Sequence, residues 1–168
     1  PWTADGAPDT QADRDLATWE YARSVQWFMD PIFKGHYPEY ALRGHGADAP
    51  EVKAGDFDII RQPIDFLGVN YYFRSFCSAE TPPRQAPAAL GTTDMGWEIY
   101  PQGLTELLVK LKGEYDLPPI YITENGMANP DHALVDGRIA DAKRIDYVER
   151  HLAPLKEAMD AGVAKSSA

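Results

Sequence analysis

Two short strand-like segments separated by a helical stretch constrain this sequence most. Residues 64–72 read Ile-Asp-Phe-Leu-Gly-Val-Asn-Tyr-Tyr. Apolar residues occur at both odd and even positions of this segment, as in a strand that is covered on both faces. Residues 119–124 read Pro-Ile-Tyr-Ile-Thr-Glu and end at the Asn125-Gly126 turn signal. Because helical patterns precede, separate and follow these segments, the order predicts βαβ units and a parallel sheet in an α/β fold.

Three helical patterns frame the strands, over residues 10–29, 101–115 and 141–161. Thr10 and Asp13 have the spacing of a capping pair at the start of the first helix. Pro31 is expected to end that helix, because the residue before a proline is pushed out of the α region. Apolar residues recur at helical spacing in the third pattern: Ile145, Val148, Leu152, Leu155 and Met159.

Length and charge exclude several classes of protein. The chain has 168 residues, and a complete (β/α)8 barrel with long loops usually needs ~250. Its 16 basic and 26 acidic residues give a net charge of −10, which disfavours a general nucleic-acid binder. No apolar run approaches the ~18–20 residues of a membrane span. No leader-like segment is visible at the start either, so we expect a cytoplasmic protein.

Polar side chains end both strands, at the edge where parallel α/β folds bind their ligands. A period of two places Asn70 and Tyr72 on one face, while Glu124 ends the second strand. A tyrosine hydroxyl that donates to a carboxylate would orient it and keep it ionised, as a nucleophile requires. On spacing alone the alternative stays open that Glu124 ends a strand in water, with Asn70 and Tyr72 as capping and packing residues.

Four sequence strings resemble glycoside hydrolase family 1, the β-glucosidases and their relatives. Tyr-Ile-Thr-Glu-Asn-Gly at 121–126 is similar to the family's nucleophile motif, and Asp-Phe-Leu-Gly-Val-Asn-Tyr-Tyr at 65–72 to its strand 6. Residues 94–104 resemble the segment leading into helix 6, and residues 27–38 the end of helix 5. The four strings stand in the family's order and cover nearly the whole chain.

This resemblance implies a fold and a set of roles. The fold would be α/β, a partial (β/α)8 TIM barrel with long βα loops, in which residues 1–163 belong to an incomplete catalytic domain and residues 164–168 form a tail. The activity would be that of a retaining β-glycosidase acting on a β-glucoside or an oligosaccharide. Glu124 would be the nucleophile that forms a covalent glycosyl-enzyme, and Tyr72 would orient it. Asn70 would shape the base of the pocket, and Trp97 would line its entrance.

No cofactor is implied, and no metal site is expected. The nearest candidates for metal ligands, His36, His45, Asp48 and Asp56, lack the ligand spacing of zinc or calcium sites. The rival interpretation is a complete small flavodoxin-like module that binds a ligand without hydrolysing it. Such a module should have an early phosphate-binding loop, and none is visible in the sequence.

The chain departs from the family pattern at the second catalytic group. Retaining hydrolysis uses two carboxyl groups roughly 5–5.5 Å apart, one to attack and one to protonate the leaving oxygen. The family's acid/base lies in an Asn-Glu-Pro motif, which this sequence does not contain. We therefore expect a piece running from helix 5 to helix 7 that is inactive alone, needs the missing barrel segments for a complete site, and exposes helix faces and strand edges.

Overall fold

The computed structural model of the chain describes residues 10–130 and 134–163; the predicted tail at 164–168 lies outside them. The described residues form two compact units. The first contains those up to Ile64 together with Ser75–Pro87, and the second contains Asp65–Arg74 and those from Ala88 onward. None of the helices in the described part of the chain is long and apolar enough to cross a membrane.

The first unit is helical. Its elements are α1 (Gln11–Tyr21), a π-helical turn (Ala22–Gln26), α2 (Trp27–Phe33), α3 (Glu39–His45) and α4 (Asp56–Ile60). The predicted capping pair is confirmed, since Asp13 N–H donates to the Thr10 hydroxyl at 3.1 Å and Thr10 N–H donates to the Asp13 carboxylate at 3.0 Å. The fully buried Asp13 also accepts from Ala79 N–H at 2.8 Å and pairs with Arg84 at 2.7 Å. These bonds tie the start of α1 to the segment Ser75–Pro87 of the same unit.

The expected end of the first helix at Pro31 is wrong, because α2 continues to Phe33. A proline inside a helix removes one N–H donor, but its fixed φ is compatible with helical backbone. The helix closes only after it, where the N–H groups of Lys34 and Gly35 both donate to the Asp30 carbonyl, at 2.8 and 3.0 Å. The backbone before α2 is also not α-helical, since the N–H of Trp27 bonds to the Ala22 carbonyl five residues back.

The second unit contains the two predicted strands and the other two predicted helices. Its elements are β1 (Leu67–Asn70), α5 (Gln102–Glu114), β2 (Ile120–Glu124) and α6 (Ala142–Asp160). The strands pair in parallel, as the βαβ pattern predicts. The buried centre of this unit joins Val69 of β1 and the adjacent Tyr71 to both helices, through Leu104 and Leu108 of α5 and Ala158 of α6.

Helix α6 buries a different face from its apolar stripe. Tyr147, His151 and Ala158 are at most 2% exposed, whereas Ile145 and Leu152 are each 57% exposed. The helix continues through Pro154 without interruption. Large apolar side chains are exposed at the strands as well, where Phe66, just before β1, and Tyr121 of β2 contact each other with ring centroids 5.2 Å apart. Exposed helix faces and strand edges agree with the expectation for part of a larger fold.

Candidate active site

A change of register at the end of the sheet sets the direction of Glu124. Val69 pairs with Ile122, but Asn70 pairs with Glu124, so Thr123 is an extra residue on β2. An extra residue of this kind reverses the side-chain alternation that follows it. A strict period of two would place Glu124 on the face of Ile122, towards the core. The bulge instead turns Glu124 to the face of Asn70.

Tyr72 and Glu124 are in direct contact, as their positions at the ends of two neighbouring strands predict. The Tyr72 hydroxyl donates to Glu124 Oε2 at 2.7 Å. This hydrogen bond to the carboxylate is the main cause that raises the pKa of Tyr72, so the phenol stays protonated and remains a donor. Just beside it, Tyr71 N–H donates to the Glu124 carbonyl at 3.0 Å, which holds the backbone of the carboxylate-bearing residue.

Asn70 is held through the bulge residue. The Thr123 hydroxyl donates to Asn70 Oδ1 at 2.6 Å, which fixes the orientation of the amide. No group in the described part of the chain accepts from Asn70 Nδ2, so its N–H donors are available to a ligand. Gly68 allows this arrangement, because a Cβ there would lie 3.2 Å from Thr123 Cγ2.

Trp97 lies beside the tyrosine of this pair. Its ring centroid is 5.6 Å from that of Tyr72 and 4.8 Å from that of Phe73. A short hairpin carries it, closed by the antiparallel bridge between Thr92 and Glu98. The structure therefore gathers all four predicted site residues at one end of the sheet. A half-buried indole, a phenol, a carboxylate and an amide donor form a surface suited to a sugar, whose C–H faces pack on aromatic rings.

Comparison with known proteins identifies the family of the chain. Residues 4–167 match the family described as glycosyl hydrolase family 1. The chain belongs to this family. β-Glucosidase A of Acetivibrio thermocellus is 36% identical in an alignment 166 residues long, which covers 94% of this chain and 37% of that protein.

Solved structures of the family have the same fold. A β-glucosidase from Exiguobacterium marinum superposes with a TM-score of 0.84 at 32% identity, covering 96% of this chain and 38% of that one. The virulence factor SghA of Agrobacterium tumefaciens, in complex with its substrate analog salicin, superposes with a TM-score of 0.82 at 34% identity, covering 92% of this chain and 36% of that one. The predicted fold class, a partial (β/α)8 barrel, is confirmed, and the chain spans little more than a third of these relatives.

An ion pair beside this family's strand-6 motif escaped the sequence analysis. Arg74 Nε and Nη2 donate to the two carboxylate oxygens of Glu98 at 2.7 and 3.1 Å, and the guanidinium lies 3.7 Å from the ring centroid of Tyr100. A signal was present in the sequence: Arg74 lies two residues after Tyr72, and Glu98 directly follows Trp97. Opposite charges next to two candidate site residues point to a contact between their segments.

A cleft close to the site does not contain the predicted nucleophile. A cleft of about 400 Å³ opens between the hairpin and α6, lined in part by Asp94, Met127, Asn129 and Lys143. Glu124 is not among the residues that line this cleft, and its side chain is exposed at the end of β2. Within residues 10–130 and 134–163, no group of three or more His, Cys, Asp or Glu side chains is arranged to hold a metal ion.

Proposed function

We propose that this chain is the part of a retaining β-glycosidase, of the β-glucosidase type, that carries the catalytic nucleophile Glu124. One observation carries the proposal: the Tyr72 hydroxyl holds a single oxygen of the Glu124 carboxylate at 2.7 Å, at the carboxyl end of a parallel strand pair. The names of the β-glucosidase relatives support a β-glucoside or a β-linked oligosaccharide as substrate.

The geometry suits a nucleophilic attack. Because Tyr72 occupies Oε2, Oε1 is the oxygen that attacks the anomeric carbon. A C–O bond forms to Oε1 while the bond to the leaving group breaks, and its electron pair goes to the leaving oxygen. The Tyr72 hydroxyl keeps the carboxylate in one orientation throughout. Water then hydrolyses the glycosyl ester and releases the sugar with its original anomeric configuration.

Two other side chains bind the sugar in this proposal. Asn70 Nδ2 donates to a sugar hydroxyl, because its Oδ1 already accepts from Thr123 and keeps the amide in place. Trp97 offers its indole face to the leaving group or to the next sugar at the entrance. The indole ring contacts the ring of Tyr72, whose hydroxyl donates to the Glu124 carboxylate, so the indole lies next to the nucleophile.

The proton for the leaving oxygen comes from barrel segments outside this chain. A retaining enzyme holds its acid/base roughly 5–5.5 Å from the nucleophile. The family's Asn-Glu-Pro motif does not occur in these 168 residues. We therefore propose that the isolated chain does not turn over an aryl β-glucoside, and that the site works only when the other strands of the barrel surround it.

A chimeric enzyme tests the role of Glu124. The chain replaces the segment of β-glucosidase A of Acetivibrio thermocellus with which it aligns, and the sequence of that protein supplies the rest of the barrel. We expect hydrolysis of 4-nitrophenyl β-glucoside, and a loss of at least about a thousandfold in kcat for Glu124→Gln. The matched control is Glu149→Gln on α6, an exposed carboxylate away from the site. Equal activity of the two variants would refute the proposal.

Azide distinguishes a nucleophile from a carboxylate that only binds. In a Glu124→Ala chimera, azide occupies the space of the lost carboxylate and attacks the anomeric carbon directly. We expect restored release of nitrophenol and an α-glucosyl azide product, detected by NMR. A β-glucosyl azide product contradicts the assignment of Glu124 as the nucleophile. The absence of rescue by azide contradicts it as well, when the parent chimera is active. Turnover by the 168-residue chain alone contradicts the proposed absence of its acid.

A further inference from the structure

Tyr147 of α6 contacts the backbone that follows β1, next to the candidate site. Its side chain is 1% exposed, and its hydroxyl donates to the Tyr72 carbonyl at 3.0 Å. Asn125, which directly follows Glu124, donates from its Nδ2 to the preceding carbonyl, that of Tyr71, at 2.8 Å. Tyr147 and Asn125 thus hold two successive carbonyls at the end of β1, and Tyr147 holds the one that belongs to Tyr72.

The bond from Tyr147 to the Tyr72 carbonyl lies where the strand ladder stops. The pairing of β1 with β2 ends at Asn70 and Glu124, just after the bulge, and the last bond across it runs from Tyr71 N–H to the Glu124 carbonyl. A bulge disrupts the ladder locally and leaves the following residues less constrained by pairing. The phenol of Tyr72 extends from the first residue beyond that bond. Its position therefore depends on what holds its own backbone, and Tyr147 provides that contact.

His151 holds the Tyr147 ring in turn. The two rings stack with centroids 4.0 Å apart and planes 29° apart, one helical turn from each other. Nδ1 of His151 lies 2.7 Å from the Tyr147 carbonyl, and we assign it as the donor because a carbonyl only accepts. Burial lowers the pKa of His151, so the ring is neutral at pH 7. This stacking orients the ring of Tyr147 so that its hydroxyl meets the carbonyl of Tyr72.

We propose that Tyr147 is a positioning residue for the Tyr72–Glu124 pair, because its hydroxyl holds the Tyr72 backbone just beyond the last bond between the strands and so sets where the phenol lies relative to the carboxylate. This inference rests on the proposed function and extends it to a helix that does not touch the substrate. Removing only the hydroxyl should free the Tyr72 backbone while the ring of residue 147 keeps its packing. The Tyr72 phenol then spends less time on Glu124.

Titration of the Tyr72 phenol in the 168-residue chain tests this inference. Tyrosines are labelled at the ring carbon that bears the hydroxyl and observed by NMR, with Tyr72→Phe used to assign the signal of Tyr72. Since the bond to Glu124 raises the pKa of Tyr72, Tyr147→Phe should lower it towards the ordinary tyrosine value of 10.0. The signal of Tyr72 should also shift at neutral pH, where every phenol is still protonated.

Tyr71→Phe is the matched control. It removes another buried hydroxyl from the same unit, one that donates to the Tyr100 carbonyl. A general loosening of the unit would move the pKa of Tyr72 in both variants, whereas the bond from Tyr147 to the Tyr72 carbonyl predicts a fall only in Tyr147→Phe. Equal titration curves in the two variants overturn the inference. If Tyr147→Phe does not fold, His151→Ala removes the ring that stacks on Tyr147 and should give the same fall, and its absence overturns the inference as well.

A third variant separates this inference from the proposed function. Glu124→Gln removes the charge that holds the Tyr72 phenol, so it should lower the pKa of Tyr72. If Glu124→Gln lowers the pKa of Tyr72 and Tyr147→Phe does not, the hydrogen bond between Tyr72 and Glu124 is confirmed and the positioning role of Tyr147 is refuted. If Glu124→Gln also leaves it unchanged, the pair does not form in solution, and both the inference and the proposed function fall.

In the chimeric enzyme the same substitution gives a kinetic signature. Tyr147→Phe should lower kcat about tenfold for 4-nitrophenyl β-glucoside while KM changes less than about twofold, because Tyr147 acts on the nucleophile and not on the bound sugar. Tyr71→Phe should leave both constants close to those of the parent. An equal loss in the two variants counts against a positioning role.

Discussion

Arg74 and Glu98 form a buried bidentate ion pair that joins the segment after β1 to the hairpin carrying Trp97. The two N···O distances are 2.7 and 3.1 Å, and the side chains are 1% and 7% exposed. Glu98 Oε1 also accepts from Ala88 N–H at 3.1 Å, at the start of the hairpin segment. The pair therefore keeps Trp97 next to Tyr72. The same contact stabilises the fold and positions a residue of the candidate site.

Breaking that pair should be costly. Arg74→Ala leaves the Glu98 carboxylate buried without its cation, and we expect the free energy of unfolding to fall by about 3 kcal/mol. Urea unfolding followed by tryptophan fluorescence measures the loss. Arg150→Ala is the control, because it breaks an exposed pair with Asp146 on α6 and should cost less than about 1 kcal/mol. Similar losses in both variants would show that burial adds nothing to the first pair.

Two glycines of α5 should respond in opposite directions to alanine. A Cβ at Gly103 would lie 2.1 Å from the Tyr71 hydroxyl and 2.8 Å from Tyr100 Cδ1, whereas a Cβ at Gly113 meets nothing within 4 Å. Gly113→Ala should raise the free energy of unfolding by up to about 1 kcal/mol through helix propensity. Gly103→Ala should lower it by about 2 kcal/mol through overpacking. Thermal unfolding of the two variants tests the difference, and a gain in both would contradict the packing of Tyr71 on α5.

Stability should depend on pH through His151. Burial lowers its pKa in the folded chain, so its contribution is fully present above the ordinary value of 6.5 and is lost as pH falls below it. The loss should reach at most about 1.4 kcal/mol per pH unit. His151→Gln should flatten the unfolding curve between pH 7 and pH 5, while His36→Gln, at an exposed position, should not. Parallel curves for the parent and His151→Gln would rule out this linkage.

Removing the indole of Trp97 should weaken substrate binding in the chimeric enzyme. Trp97→Ala should raise KM for an aryl β-glucoside about tenfold, which corresponds to a loss of about 1.4 kcal/mol. Trp97→Phe keeps an aromatic face and should recover part of that loss. Steady-state kinetics on aryl and alkyl glucosides separate stacking from other effects, since only the aryl substrate should show the full loss. Unchanged KM in Trp97→Ala would remove this residue from the site.

Patterns local in the chain were sufficient for most of the helices and strands. The capping pair Thr10–Asp13 and the leucine face of α5 are contacts between residues three or four positions apart, which periodicity detects directly. Pro31 does not end the helix as predicted, because the preference of the residue before a proline is weaker than the bonds that close α2 after it. The apolar stripe of α6 predicted a helix correctly but not its buried face, which is set by contact with α5 and β1.

The candidate site divides in the same way. The motifs around Tyr72 and Glu124 indicated which residues meet and to which family they belong, since both lie at the ends of strands that a parallel fold must align. The direction of Glu124 depends on the extra residue Thr123, and a bulge appears only when two strands pair. Tyr147 reaches the site from a helix 75 residues along the chain from Tyr72. Contacts that distant leave no periodic trace in a single sequence, so the orientation of the carboxylate and its support come from packing in three dimensions.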